Sequence, residues 1–219
     1  MNSGFFITGT DTDVGKTQVT IALMRKFRRQ GMVVVGMKPV AAGCQWRDGR
    51  LKNADAELIQ QNAGLELAYQ QVNPYAFALP VSPHLACGDT RVDLTTILAA
   101  SRHLQNQADI VLVEGAGGWL SPLSRELDNA ELAWALDLPV ILVVAMRLGC
   151  INQARLSYQA ISLAGVACAG WVAVEIESGR LDLQANLDYL QTRLDTPFLG
   201  LMPYQTAADY DALSSCFLF

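Results

Sequence analysis

Charge is scarce in this sequence. Asp, Glu, Lys and Arg make up 17% of the 219 residues, against 51% for the apolar types. A disordered chain needs the opposite balance, so disorder is excluded; a sheet covered on both faces fits. Basic residues are outnumbered by acidic ones, and the formal net charge is −5. No Lys- and Arg-rich face of the kind that neutralises a phosphate backbone is present, so no nucleic-acid partner is expected. The one basic cluster, Arg25, Lys26, Arg28 and Arg29, falls at the end of a predicted helix and reads as a solvated helix terminus. Histidines number two, His84 and His103. The five cysteines (Cys44, Cys87, Cys150, Cys168, Cys216) are odd in number, far apart and without a CxxC pair. These counts argue against a disulfide framework, a structural zinc site and a transition-metal centre. No apolar run reaches the roughly 18 residues of a membrane span. The opening MNSGFFITGT lacks the basic region of a signal peptide. The expectation is a reduced, soluble, cytoplasmic protein without membrane contact.

What is present is a series of short apolar runs rich in Val, Ile and Phe: 4–9, 33–40, 110–117, 139–145, 168–174 and 198–203. Most are continuously apolar rather than alternating, as strands buried on both faces should be. Helical periodicity lies between them. It shows in Val19, Leu23 and Phe27 of 15–30, in Leu94, Ile97, Leu98 and Leu104 of 94–107, and in Ile151, Ala154, Ile161 and Ala164 of 151–164. Strands alternating with helices predict an α/β fold, a mostly parallel central sheet with helices on both faces, within one domain spanning 1–219. The polar stretch 43–53 is expected to be a loop. The stretch 72–93, with Pro74, Pro80 and Pro83, is expected to be a long irregular connection of the functional kind. The apolar tail ALSSCFLF is expected to pack on the core or on a second subunit.

The first strand runs directly into Gly9-Thr10-Asp11-Thr12-Asp13-Val14-Gly15-Lys16-Thr17 and then into a helix pattern. This is a variant of the phosphate-binding loop GxxxxGK[ST], with five residues between Gly9 and Gly15 where the motif has four. The chemistry behind the motif is direct. Backbone N–H groups at a helix N-terminus favour an anion. Gly15 allows close backbone approach, Lys16 adds a full charge near the β- and γ-phosphates, and the Thr17 hydroxyl is a hard ligand suited to magnesium. A nucleoside triphosphate with magnesium is therefore the expected ligand.

Further charged residues stand in apolar settings. Glu114 ends the run VLVEGAGG, at a strand tip where parallel sheets place their ligands; Gly115, Gly117 and Gly118 keep the space above it open. Lys38, in GMKPV, sits at another strand tip and is aimed at phosphate, with Pro39 ending the strand. Asp55 opens the helix ADAELIQQ and reads either as an acid favoured by the helix dipole or as a metal ligand. The segment RLGCIN leads from a buried strand into a helix, whose N-terminus either holds a carboxylate or simply starts a helix.

Together these segments resemble the dethiobiotin synthetase family over nearly the whole chain. The resemblance rests on FFITGTDTDVGKT at 5–17, GMKPVAAG at 36–43, NADA around Asp55 and VNPYAFALPVSPH at 72–84. It continues through VLVEGAGGW at 111–119, LPVILVV at 138–144, LGCIN at 148–152 and AGWVA at 169–173. It implies ATP-dependent carboxylation and ring closure of 7,8-diaminopelargonate with CO2, through a phosphorylated carbamate. Lys16 and Lys38 would stabilise the transferring phosphoryl group, with Thr12 and Asp13 beside the reacting carbamate. Thr17, Asp55 and Glu114 would hold magnesium. Nucleotide contacts would come from Asp13 through Gln18, including Val14 and Gly15, from Asp55, from Glu114 through Gly115, Ala116 and Gly117, and from Val174, Glu175, Pro203 and Tyr204. Substrate contacts would come from Thr12, Lys38 and Ala42. The family works as a homodimer in which this helix N-terminus, here Cys150, Ile151 and Asn152, reaches the neighbour's substrate.

Three positions depart from the family. Asp13 stands for a usual Glu, Ala42 for a small hydroxyl residue, and Val174 for an asparagine that reads adenine. A valine cannot pair with a base edge, so base selectivity is expected to be weakened or supplied by backbone near Pro203 and Tyr204. Two other readings share the phosphate loop. A nucleotide switch of the partitioning or septum-placing type would carry a lysine where Asp11 stands. An amidoligase-type domain would need an ammonia source for which the chain is too short. A diverged paralogue of the synthetase also fits the departures.

Overall fold

The computed structural model describes residues 4–179 and 182–219. The chain begins with β1 (Gly4–Gly9), α1 (Lys16–Arg29) and β2 (Val34–Met37). A region of small elements follows: β3 (Val40–Ala41), β4 (Gln45–Arg47), β5 (Arg50–Lys52), α2 (Ala54–Gln61), α3 (Tyr69–Val72), β6 (Tyr75–Ala76) and α4 (Pro83–Ala86). Regular alternation then resumes with α5 (Leu94–Gln105), β7 (Ile110–Gly118), α6 (Asn129–Leu136), β8 (Val140–Ala145), α7 (Cys150–Leu163) and β9 (Cys168–Val174). The last elements are α8 (Leu183–Arg193), β10 (Phe198–Met202) and α9 (Tyr210–Ser214).

Six strands form one sheet in the order β10-β9-β8-β1-β7-β2, and every pairing in it is parallel. The central strands β1, β7 and β8 are buried almost throughout, which is why their sequences are continuous apolar runs rather than alternating ones. Because all six run the same way, their C-terminal tips share one edge. The chain leaves β1 for β2 on one side, returns through β7 between them, and crosses to β8 on the other side of β1. That change of direction opens a crevice at the tip of β1, where open α/β sheets bind ligands.

Helix α1 shows how local sequence and packing combine. Ile21, Ala22, Leu23 and Met24 are all fully buried, so the helix lies within the fold rather than on it. The basic cluster at its end is more than a solvated terminus. The Arg25 Nε donates to Asn62 Oδ1 (2.8 Å), Lys26 Nζ to the Phe217 carbonyl (3.2 Å) and Arg29 Nη1 to Ser214 Oγ (3.1 Å). Phe219 lies 6.0 Å from Phe27 across tilted rings, and Phe217 is 5% exposed. The apolar tail therefore packs on the core of its own chain, fastened by the last turn of α1.

The expected loop 43–53 differs from the sequence reading. It holds an antiparallel hairpin in which Trp46 pairs with Leu51. Asp48 and Gly49 turn it with φ of 49° and 75°, the left-handed pair that an Asp-Gly turn supplies. The expected strand 33–40 also stops early: Val34–Met37 joins the main sheet, and Val40–Ala41 pairs separately with Tyr75–Ala76. Pro39 lacks the N–H that a continuous ladder would need. Among the described residues no helix is long and apolar enough to cross a membrane.

Leu112 sits in β7, fully buried between β1 and β2. Leu112→Ala is expected to lower unfolding free energy by about 3 kcal/mol, read from the urea midpoint with the slope unchanged.

Candidate active site

The loop after β1 owes its shape to two residues in the left-handed region, Asp13 at φ 56° and Gly15 at φ 92°. At position 15 a side chain is excluded twice, since a Cβ there would come within 2.8 Å of Val174 Cγ1. The Lys16 ammonium folds back over this loop and donates to the Asp11 carbonyl at 2.8 Å. Asp11 is held in turn by Arg147, whose Nη2 lies 2.9 Å from its Oδ2.

Strands β7 and β2 bring the remaining charges to the same tip. Glu114 is completely buried, and its carboxylate is fully engaged. Oε1 accepts from Thr17 Oγ1 (2.9 Å) and from Lys38 Nζ (2.8 Å), and Oε2 lies 2.9 Å from Thr20 Oγ1. Lys38 also donates to Asp55 Oδ2 at 2.5 Å. Asp55 lies in the first turn of α2, whose N-cap Asn53 accepts from the Asp55 and Ala56 amides. A buried relay sets the Lys38 backbone. The Asn53 amide donates to Tyr69 Oη (2.7 Å), Tyr69 Oη to Asn73 Oδ1 (2.9 Å), and Asn73 Nδ2 to the Lys38 carbonyl (2.7 Å). Sequence reasoning missed Tyr69 and Asn73. A polar residue just before Pro74, in a stretch otherwise without periodicity, was the available signal.

These contacts set the charge states. Burial lowers the pKa of Lys16 to about 8, only partly offset by the Glu114 carboxylate. Burial acts the same way on Lys38, but the Glu114 and Asp55 carboxylates outweigh it and raise its pKa. Burial alone would raise Asp55; Lys38 beside it holds it below the usual carboxylate range instead.

A cavity of about 790 Å³ opens over this cluster. It is lined by Thr12, Asp13, Gly15, Lys16, Thr17, Gln18, Lys38, Ala42, Asp55, Glu114, Ala116, Gly117, Glu175 and Tyr204 of the expected site, and also by Ser121, Ile176 and Gln205. Four expected nucleotide contacts lie outside the lining. Val14 (0% exposed) and Val174 (1%) point into the core, the latter against Gly15. Gly115 is buried against Asn129 and Phe6, and Pro203 turns to solvent. Cys150, Ile151 and Asn152 also lie outside it; they open α7 beyond β8, with Asn152 exposed. For magnesium the donor set fits. Thr17, Asp55 and Glu114 offer hard oxygens converging at one tip. Among the described residues no group of three or more His, Cys, Asp or Glu suggests a softer or more crowded metal.

The family profile described as an AAA domain matches residues 3–210. The ATP-dependent dethiobiotin synthetase of Aromatoleum aromaticum is 44% identical, over 94% of this chain and 92% of its own length. That of Nitrosospira multiformis is 45% identical, over 98% and 94%. The chain belongs to the dethiobiotin synthetase family. Solved structures with lower identity share the fold. The septum site-determining protein MinD of Pyrococcus horikoshii, complexed with Mg-ADP, superposes with a TM-score of 0.59 at 16% identity, covering 99% of this chain and 87% of that one. The signal recognition particle receptor FtsY of Elizabethkingia anophelis gives 0.55 at 13%, covering 99% and 65%. The expected family and the expected P-loop α/β architecture both hold.

Two outcomes follow from this geometry. Polyphosphate binding favours protonated Lys16, and bound phosphate raises its pKa back from the value of about 8 to which burial lowers it. Above pH 8 binding must take up a proton, so ATP affinity is expected to fall by up to about tenfold per pH unit between pH 8 and 9.5, measured by calorimetry. Glu114→Gln leaves Lys38 with Asp55 alone. It is expected to cost about 3 kcal/mol of stability and to weaken ATP binding.

Proposed function

We propose that this protein carries out ATP-dependent conversion of 7,8-diaminopelargonate and CO2 to dethiobiotin, working in the cytoplasm as a homodimer and within the single domain expected from the sequence. The observation that carries this reading is the convergence of Lys16, Thr17, Lys38, Asp55 and Glu114 on one cavity at the tip of β1. Phosphate chemistry belongs at that point. The sheet order then gives the cavity two ends. Glu175, Tyr204 and Gln205 follow β9 and β10 on one side of β1, where the nucleoside would lie. Thr12, Ala42 and Ser121 surround the β7 and β2 side, where the diamine would lie, together with Ala116 and Gly117, which are also expected to touch the nucleotide.

In the reaction one amine adds CO2 and loses a proton to give a carbamate, whose oxygen attacks the γ-phosphorus of ATP, breaking its bond to the bridging oxygen and releasing ADP. The second amine then attacks the carbamoyl carbon, the ureido ring closes and phosphate leaves. No strong base is needed; alignment and charge neutralisation supply most of the acceleration. Lys16 and Lys38 bring two positive charges to the phosphoryl oxygens. Thr12 and Asp13 sit at the loop edge facing the carbamate. Thr17, Asp55 and Glu114 would hold magnesium, which neutralises charge on the phosphates when bound. Ala42 offers no hydrogen bond to the substrate.

Supporting the homodimer, Leu148 is 89% exposed, Leu156 58% and Leu163 81%, all on or just before α7. Large exposed apolar residues next to Cys150, Ile151 and Asn152 suit a face covered by a second copy, whose cavity that helix N-terminus would complete. For the base, Val174 is unavailable, and nearby backbone is already used: the Val174 carbonyl accepts from Met146 N and Glu175 N donates to the Met202 carbonyl. Two side chains beside it can add to backbone contacts near Pro203 and Tyr204. Glu175 can accept from an exocyclic amine. Gln205 Oε1 already accepts from Asp209 N at 2.7 Å, which leaves its Nε2 as a donor.

Phosphate release from ATP with magnesium and bicarbonate is expected to depend on added 7,8-diaminopelargonate and to yield one ureido product, identified by mass. Release independent of the diamine, or none, would sink the substrate assignment. Glu175→Ala is expected to narrow the preference for ATP over GTP by about tenfold, measured as a ratio of kcat/KM values. An unchanged ratio would rule out this account of base reading.

A further inference from the structure

Asn129 lies in none of the motifs that define the site, yet it is completely buried beside it. It is the first residue of α6, and its side chain reaches back beneath the glycine-rich end of β7. Oδ1 accepts from the Ala116 amide at 3.3 Å. Nδ2 donates to the carbonyls of Ala116 and Gly118, each at 2.7 Å, with the Ser121 carbonyl at 3.4 Å. The Asn129 amide also donates to the Ser121 carbonyl at 3.3 Å. One carboxamide thus holds both ends of the segment 116–121.

The pairing of Gly118 with Gly9 of β1 and the bond from Ser121 N to the Gly118 carbonyl (3.1 Å) also hold it. Gly117 has φ 75°, a conformation few other residues would keep, and the Gly118 amide donates to Ser121 Oγ at 2.8 Å. A Cβ at Gly117 would lie 3.6 Å from Thr12 Oγ1, so the segment stands against the phosphate loop. Ala116, Gly117 and Ser121 all line the cavity. Asn129 cannot easily move away. Reciprocal bonds fix the start of α6, from Asp128 N to Glu131 Oε2 (2.9 Å) and from Glu131 N to Asp128 Oδ1 (2.8 Å). Space is tight on the other side, where a Cβ on Gly115 would come within 2.6 Å of Asn129 Oδ1.

We propose that Asn129 is a positioning residue for the diamine end of the site: its carboxamide sets the wall formed by Ala116, Gly117 and Ser121. This rests on the function proposed above. The wall belongs to the β7 side of the cavity; Ala116 and Gly117 are also expected to touch the nucleotide, but its main grip is the loop before α1. Loss of Asn129 therefore separates the two ligands. A carboxylate in its place keeps the acceptor for Ala116 N but sets negative charge against three carbonyls.

Asn129→Ala and Asn129→Asp test this, with Gly115→Ala pressing on the same carboxamide from the loop side. All three are expected to lower kcat/KM for the diamine by about tenfold or more, while the dissociation constant for Mg-ADP changes by less than about threefold. Hydrogen exchange in Asn129→Ala is expected to quicken at the Ala116 and Gly118 amides, with protection in the body of α6 kept. Equal losses for diamine and nucleotide would overturn the proposal. So would loss of protection throughout α6, or a lower melting temperature with unchanged kinetics. If the unaltered protein shows no diamine-dependent turnover, the proposed function fails, and the exchange pattern alone decides whether Asn129 sets this wall.

Discussion

A carboxylate with no exposure to water dominates the active end of this protein. Glu114 sits inside strand β7, four residues before its end at Gly118, where an unpaired charge would be prohibitively costly. Its compensation comes from two other elements: Lys38 after β2, and Thr17 and Thr20 from α1. Satisfying one buried group therefore fixes the relative positions of β7, β2 and α1. Lys38 draws in a fourth element through Asp55, at the start of α2. The sheet order makes this geometry available, since β7 lies between β1 and β2 and brings all of these tips together.

The same arrangement explains why the cluster is more than structural. Two ammonium groups and two carboxylates, gathered under an open cavity, are costly to assemble for stability alone, because apolar residues of similar size often do as well or better. Lys16 donates to the Asp11 carbonyl and Lys38 to the two carboxylates. Both cations are thus held beside the space that phosphate and magnesium would enter. Preorganisation of this kind lets charge be neutralised during phosphoryl transfer with little rearrangement.

Much of this was legible in the sequence, for physical reasons. Continuous apolar runs gave the buried strands, because strands covered on both faces have no polar side to show. GKT after a strand gave the phosphate loop, and isolated Lys38 and Glu114 stood out because charge at a buried strand tip is rare. The resemblance carried Asp55, which its own position left open between a helix-start acid and a ligand. Other features were less legible. The hairpin at 45–52 was hidden in a polar stretch, although Asp48-Gly49 was a turn signal. Val174 was expected in the nucleotide site, but its apolar side chain is held in the core by the close approach of Gly15. Asn73 and Asn129 escaped notice because they act on backbone groups distant in sequence, and no spacing rule reveals such contacts.

The most direct test of the account is a crystal structure with magnesium and a non-hydrolysable ATP analogue. It should place the metal at Thr17, Asp55 and Glu114, with Lys16 and Lys38 both turned to phosphate oxygens and the base between Glu175 and Gln205. A nucleotide bound elsewhere, or bound here with Lys38 still bridging Asp55 and Glu114 and no metal at either, would contradict the reading of this buried cluster as a phosphoryl-transfer site.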